Sequence, residues 1–252
     1  MKITFLGTGT SMGVPVAGGF MREKLAHDSR NDRTRCSVWI QVNGQSILID
    51  AGPEFRIQSI KAQIPAVHSL LITHEHMDHV AGLDDLRVYS YNAKAPIPVY
   101  ATQSCIKSIR SRFDYMFGKK KYPGSTSLNL KEVTGSFFLG DVAVTPLPVQ
   151  HGKLDILGYR LNDFSYLTDV KHIPEETLEK IKGSKVVVLS ALRWKPEHPT
   201  HLTIPQAVEI IQKLQVPKAY FIHMNSYVDH EPANKKLPEN IRLAYDQMVI
   251  EV

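Results

Sequence analysis

Short runs of apolar and β-branched residues, each closed by a polar cluster, recur along the chain: Lys2 to Leu6, Ser37 to Val42, Ser46 to Ile49, Ser69 to Thr73, Ile97 to Tyr100, Val142 to Val149, Tyr159 to Leu161, Phe164 to Thr168, Lys185 to Leu189 and Lys218 to His223. Runs of this length and composition predict strands. Asn43-Gly44 between two of them predicts a tight hairpin, because both central positions of such a turn need positive φ. Three helices stand out. Ile57, Ile60 and Ile64 follow Pro53 at helical spacing, and Pro174 opens Glu175 to Ile181 where its missing N–H costs least. Thr203 and Gln206 form a capping-box pair ahead of Ala207, Ile211 and Leu214. Hairpins interrupted by helices imply mixed sheets covered by helices rather than a regular βαβα alternation.

At 252 residues with 43% hydrophobic and 22% charged positions, the chain has the makeup of a globular protein read as one domain over residues 1–252. A core of that size needs no structural metal. Cys36 and Cys105, 69 positions apart, suit neither a disulfide scaffold nor a zinc finger. The apolar stretch Ile3 to Leu6 is too short for a signal-peptide core, and no run of eighteen apolar residues predicts a membrane span. The expected location is the cytoplasm. Lysine plus arginine less aspartate plus glutamate is 30 − 25 = +5, a bias that favours anionic ligands without requiring nucleic acid.

The densest chemistry lies in Leu70-Leu71-Ile72-Thr73-His74-Glu75-His76-Met77-Asp78-His79. On extended backbone, positions i and i+2 share a side, so His74 and His76 can converge on one cation, while a turn after Met77 presents Asp78 and His79 to a second. Imidazole and carboxylate suit Zn²⁺, Mn²⁺ or Fe²⁺. Further ligands are expected where other strands end, and three apolar runs end at His151, Asp169 and His223. Asp50 closes Ile47-Leu48-Ile49 in the same way.

HxHxDH followed by His, Asp and His at strand ends resembles the metallo-β-lactamase superfamily over nearly the whole chain. The resemblance implies an α/β (α+β) four-layer αββα sandwich. It implies that His74, His76 and His151 hold one divalent ion, that Asp78, His79 and His223 hold a second, and that Asp169 bridges them. It makes Asp50 a brace for the metal loop, the kind of outer partner that orients ligands. The two ions would be Zn or Mn, with Fe possible, and a bridging hydroxide positioned by Asp78 and Asp169 would attack the substrate. The remaining histidines, His27, His68, His172, His198 and His230, are expected to be surface or packing residues.

Phe5-Leu6-Gly7-Thr8-Gly9-Thr10-Ser11 with Gly13-Val14-Pro15, then Gly82 to Arg87, then His201-Leu202-Thr203 look like the phosphodiesterase branch of that superfamily. The branch includes the phosphoribosyl cyclic phosphodiesterases of phosphonate breakdown and, more distantly, the tRNA 3′-processing endonucleases. On this likeness His201 approaches the scissile phosphate as a protonated donor, favoured by the helix N-terminus behind it. Spacing separates the relatives. Only 169 − 151 = 18 positions are available for the arm of a tRNA-processing enzyme, 223 − 169 = 54 for the extra domain of a cleavage factor, and 252 − 223 = 29 for a glyoxalase-type addition. A small cyclic ribose or nucleotide phosphodiester is the expected substrate. The alternatives are a thioesterase or lactonase, a tRNA-processing-like ribonuclease, and lastly a non-catalytic nucleic-acid-binding module. The cysteine cluster that follows GVP in close relatives is missing from Val16 to Met21, so their additional structural metal is not expected.

Lys107 to Tyr122 mixes basic residues with Phe113, Tyr115, Phe117 and Tyr122, which fits either nucleic-acid contact, the less favoured reading, or a covering helix. Arg30, Arg33 and Arg35 are expected to form a solvated arm, and Arg87 is the candidate for orienting substrate. A homodimer is the default assembly.

Overall fold

The computed structural model describes residues 1–20, 22–118 and 124–252. The strands are β1 (Lys2–Gly7), β2 (Ser37–Val42), β3 (Gln45–Ile49), β4 (Ser69–Leu71), β5 (Ile97–Ala101), β6 (Leu128–Glu132), β7 (Phe137–Leu139), β8 (Val142–His151), β9 (Leu154–Leu161), β10 (Phe164–Leu167), β11 (Val186–Ser190), β12 (Lys218–Ile222), β13 (Ile241–Leu243) and β14 (Val249–Glu251). The helices are α1 (Arg22–Leu25), α2 (Phe55–Lys61), α3 (Met77–Val80), α4 (Arg87–Ala93), α5 (Gln103–Arg112), α6 (Asp114–Phe117), α7 (Glu175–Ile181), α8 (Ile204–Leu214) and α9 (His230–Asn234).

Two seven-stranded sheets run β14-β1-β2-β3-β4-β5-β6 and β13-β12-β11-β10-β9-β8-β7. Each is half antiparallel and half parallel: β3 to β6 are parallel in the first sheet and β10 to β13 in the second. Three apolar clusters define the layering. One lies between the sheets around Phe5, Ile40, Tyr159 and Ile222. A second joins the first sheet to α2 and α5 through Phe55, Leu70 and Ile109. A third joins the second sheet to α7 and α8 through Leu178, Leu189 and Ile211. Helix, sheet, sheet, helix is the expected four-layer sandwich.

Local chemistry explains the elements. Asn43 and Gly44 take φ of 48° and 74° and connect β2 to β3. Thr203 and Gln206 close a reciprocal capping box at the start of α8. Helix α2 forms where the isoleucine spacing places it, but its buried face is Phe55, Gln58 and Ser59, while Ile57 and Ile60 are 45% and 59% exposed. The reason is a hydrogen-bonding duty: Gln58 turns inward and donates from Nε2 to the Thr34 hydroxyl and the Arg35 carbonyl. Strands β7, β13 and β14 are only three residues long and β6 is half polar, so none stands out in the sequence and all owe their form to their neighbours. The basic segment before β2 is no solvated arm. Arg33 is 1% exposed, Arg30 pairs with Asp28 and Glu231, and Arg35 pairs with Glu54. Among the described residues, no helix is long and apolar enough to cross a membrane.

Candidate metal centre

The site gathers at the C-terminal ends of the strands, the edge where open sheets deliver their loops. Strand β3 leads to Asp50, β4 to Thr73 and the His74–His79 segment, β8 ends at His151, β10 leads to Asp169 and β12 to His223. Of the seven candidate ligands, His74, His76, Asp78 and His79 therefore come from the first sheet's side and His151, Asp169 and His223 from the second. His74, His79, Asp169 and His223 are buried, and His76 is exposed at the mouth. His74 Nε2 lies 3.0 Å from His76 Nδ1, and the expected turn after Met77 is the first turn of α3, which carries Asp78 and His79. His74, His76 and His151 bring one ligand atom each within 4.8 Å of one another, and so do Asp78, Asp169 and His223. His79 joins through His74 and Asp169, and His201 through His151 and Asp169.

Hydrogen bonds turn the imidazoles toward a common centre. Asp50, fully buried, accepts from Thr73 N at 2.8 Å, from the Thr73 hydroxyl at 2.8 Å and from His79 Nδ1 at 2.7 Å. Because the Thr73 hydroxyl is committed to Asp50, His74 donates its Nδ1–H to that oxygen at 3.0 Å. His151 Nδ1 donates to the Thr200 carbonyl at 2.9 Å. In all three rings Nε2 is left to face the centre. Asp50 thus braces the loop as the family likeness implies.

Glycines make the close packing possible. Ala51 N donates to the His79 carbonyl and Gly82 N to the Ala51 carbonyl. A methyl at Gly52 would overlap the Asp78 carbonyl, and one at Gly82 the Gly52 carbonyl. Asp50, Asp169 and His223 have φ of 60°, 56° and 61°, a conformation that non-glycine residues adopt at a cost of about 1–3 kcal/mol.

The charges are mutually dependent. Burial opposes ionisation of Asp169, yet His223 and His79 hold its carboxyl well below the usual range. Burial opposes ionisation of Asp78 too, and the His79 ring outweighs it, holding that carboxyl at about 2. Burial and then His223 push His201 down to about 3, so it is neutral near pH 7 rather than the protonated donor expected from the sequence. It stacks over His223 with ring centroids 4.7 Å apart.

The residues fit a pair of divalent ions. His79 Nε2 and both ring nitrogens of His223 are buried without hydrogen-bond partners among the described residues, although His79 Nε2 is 3.2 Å from Asp78 and His223 Nε2 is 3.2 Å from Asp169. Buried polar atoms so placed need a partner of some kind, and imidazole with carboxylate is a donor set that divalent transition metals accept.

Other candidates lie elsewhere. Arg87 pairs with Asp84 at 2.7 Å and lines a groove of about 820 Å³ with Ile60, Ile64, Val88 and Tyr91, away from the histidines. In the basic-aromatic stretch, Phe113 and Met116 are buried, Arg110 sits over Phe117, and Arg112 donates to the Glu75 carbonyl beside the metal loop. Lys119, Lys120, Lys121 and Tyr122 lie outside the described residues. His198, expected to be a surface or packing residue, is half-buried with its ring centroid 5.0 Å from that of His201.

Residues 45–224 match the family model described as a beta-lactamase superfamily domain, and the chain belongs to that superfamily of metal-centred hydrolases. Among individual relatives, it is similar to a solved diphosphatase of the PhnP family, at 35% identity and a TM-score of 0.92, covering 100% of this chain and 97% of that one. It is also similar to an octanoyltransferase of Porphyromonas gingivalis, 40% identical over 250 residues that make up 98% of this chain but 50% of that protein. Ribonuclease Z of Methanococcus maripaludis is 26% identical over 72% of the chain and 53% of its own length. The chain thus spans about half the length of these two curated relatives. Human tRNase Z, short form, shares the fold at a TM-score of 0.74 and 18% identity, with 100% of this chain and 99% of that one covered.

Proposed function

We propose that residues 1–252 act as one domain, a dinuclear metal-dependent phosphodiesterase of small substrates such as cyclic ribose phosphates, nucleotides or phosphoanhydrides. The observation that carries this reading is the convergence of seven imidazole and carboxylate side chains from both sheets, with His201 on a capped loop beside them. The full-length likeness to a diphosphatase supports it.

His74, His76 and His151 would hold one ion, Asp78, His79 and His223 the other, and Asp169 both. Such a pair, when bound, supplies Lewis acidity and an activated water. The chain's own residues do the rest. His201, neutral, donates a hydrogen bond to a phosphoryl oxygen as charge grows there. Asp50, Thr73 and the Thr200 carbonyl keep the ligating rings in their tautomers. In the first turn of α8 Ile204 N donates to the Arg193 carbonyl, Pro205 has no N–H and Gln206 N donates to the Thr203 hydroxyl, so what the helix start offers an anion near His201 is its dipole alone. Zn or Mn would suit this donor set, and Fe would be accepted by it too.

Metal-loaded protein is expected to hydrolyse bis(p-nitrophenyl) phosphate and cyclic phosphoribose, and chelated protein to lose that activity. His201→Ala is expected to lower kcat by about 10²–10³ with metal content unchanged. Activity that survives both treatments refutes the reading.

A second reading, hydrolysis of an acyl thioester, is favoured by the octanoyltransferase relative. The half of that protein without a counterpart here is as good a bearer of acyl transfer as the half that matches. Octanoyl-thioester hydrolysis that His201→Ala leaves intact would support the acyl reading over the phosphodiester one.

A further inference from the structure

His198 lies three residues before His201 in the loop that leads into α8, half-buried at the outer side of the histidine cluster. Its Nδ1 accepts from the Thr200 backbone N–H at 3.3 Å and lies 3.1 Å from the Thr200 hydroxyl. A backbone N–H can only donate, so Nδ1 carries a lone pair and the ring's hydrogen sits on Nε2. Among the described residues nothing accepts that hydrogen. The Thr200 carbonyl in turn takes the Nδ1–H of His151. Gly152, with φ of 62°, lets the Thr200 side chain pack where a methyl would meet it at 2.8 Å. The His198 ring is therefore held by a built turn, not left to wander on the surface.

The rings form a file from the centre outward: His223 to His201 is 4.7 Å and His201 to His198 is 5.0 Å between centroids. Two N–H donors so spaced, each reaching about 3 Å, can meet oxygens on two neighbouring phosphoryl groups. The surroundings are cationic. Lys171 and Arg193 both act on His198 electrostatically, and Arg193 donates to the Pro196 and Glu197 carbonyls, folding the segment that carries His198. A second N–H donor beyond His201 suits a substrate that carries a second phosphoryl group.

We infer that His198 is a substrate-binding residue whose Nε2–H takes an oxygen of the phosphoryl group adjacent to the one being hydrolysed, which makes the substrate a phosphoanhydride of the nucleoside-diphosphate kind. The inference rests on the phosphodiesterase reading above. Lys171 adds positive potential at the same place, and His201 serves the scissile group.

His198→Asn separates contact from support, because the asparagine Oδ1 replaces Nδ1 as acceptor for Thr200 while the outward N–H is lost. In the metal-loaded enzyme, the variant is expected to keep wild-type metal content and to hydrolyse bis(p-nitrophenyl) phosphate within about twofold of wild type. Its kcat/KM on a dinucleoside diphosphate is expected to fall at least about tenfold, the factor carried by one hydrogen bond to a charged group. Calorimetry is expected to show the same selective loss for inorganic pyrophosphate, with inorganic phosphate affinity unchanged. Equal effects on both substrates, or none on either, overturn the inference and leave the phosphodiesterase reading standing. Loaded wild-type protein inactive on both substrates overturns both.

Discussion

Replacing Asp50 by Asn tests the organisation of the metal loop at a residue placed outside the ligand set. Asp50 is fully buried, and its two oxygens accept three hydrogen bonds, from Thr73 N, the Thr73 hydroxyl and His79 Nδ1. In Asp50→Asn the amide oxygen keeps the Thr73 N–H. The amide nitrogen then confronts two donors where an oxygen stood. The Thr73 hydroxyl can rotate and accept. His79 can adapt only by moving its hydrogen from Nδ1 to Nε2, the atom 3.2 Å from Asp78 and 3.5 Å from Asp169, which is the edge that would ligate an ion. Losing an outer carboxylate of this kind typically weakens metal binding by about 10–100-fold, or about 1.4–2.8 kcal/mol. The ion proposed for Asp78, His79 and His223 should suffer most, so dialysis against a mild chelator should leave the variant nearer one ion per chain and the wild type nearer two. Elemental analysis gives the stoichiometry, a fluorescent chelator competition gives the affinities, and circular dichroism verifies the fold. A folded variant that retains both ions at wild-type affinity would refute the argument.

Adding zinc to stripped protein at about a hundred times its dissociation constant should stabilise the fold by about 2.7 kcal/mol per site; calorimetry that finds Tm independent of zinc would contradict this. Gly82→Ala should destabilise by at least about 1–3 kcal/mol and reduce metal retention, since its methyl meets the Gly52 carbonyl under the metal loop; denaturant unfolding measures it. Asp246, which accepts from Thr8 and Thr34, is raised by burial to about 6 from an ordinary 3.8. Its folded pKa being the higher, its contribution is fully present below pH 4 and is lost as pH rises through 6, a change on the order of 3 kcal/mol. Asp246→Asn, whose amide can still accept from Thr34 and donate to Thr8, should therefore gain on the wild type between pH 4 and 7; parallel urea midpoints across that range would discount it.

The strands most legible in the sequence are those whose residues are apolar on both faces, such as β2, β3 and β11, because burial between two layers writes itself into composition. The His74–His79 segment was equally plain, since three histidines and an aspartate in six positions have no common use in packing. Edge strands such as β14, three residues long and held by Lys2 and Thr4 across the seam, exist through partners remote in sequence and carry no signal of their own. Gln58 reversed the face of α2 for a similar reason: its value lies in two acceptors more than twenty residues upstream. Arg33 reads as a surface cation until Asn31 and the α9 segment close over it. The neutrality of His201 came from burial and from His223, 22 positions later, both products of the folded chain.

The left-handed backbone at Asp50, Asp169 and His223 has a bearing on how this scaffold ages. A glycine at any of the three would relieve local strain, so an apoprotein carrying Asp169→Gly or His223→Gly has one reason to melt later than its parent even as it forfeits the reaction. Drift unopposed by use would then erode the ligand set early, and a descendant of this fold that has lost its chemistry should betray the fact at these positions while its sheets still look intact.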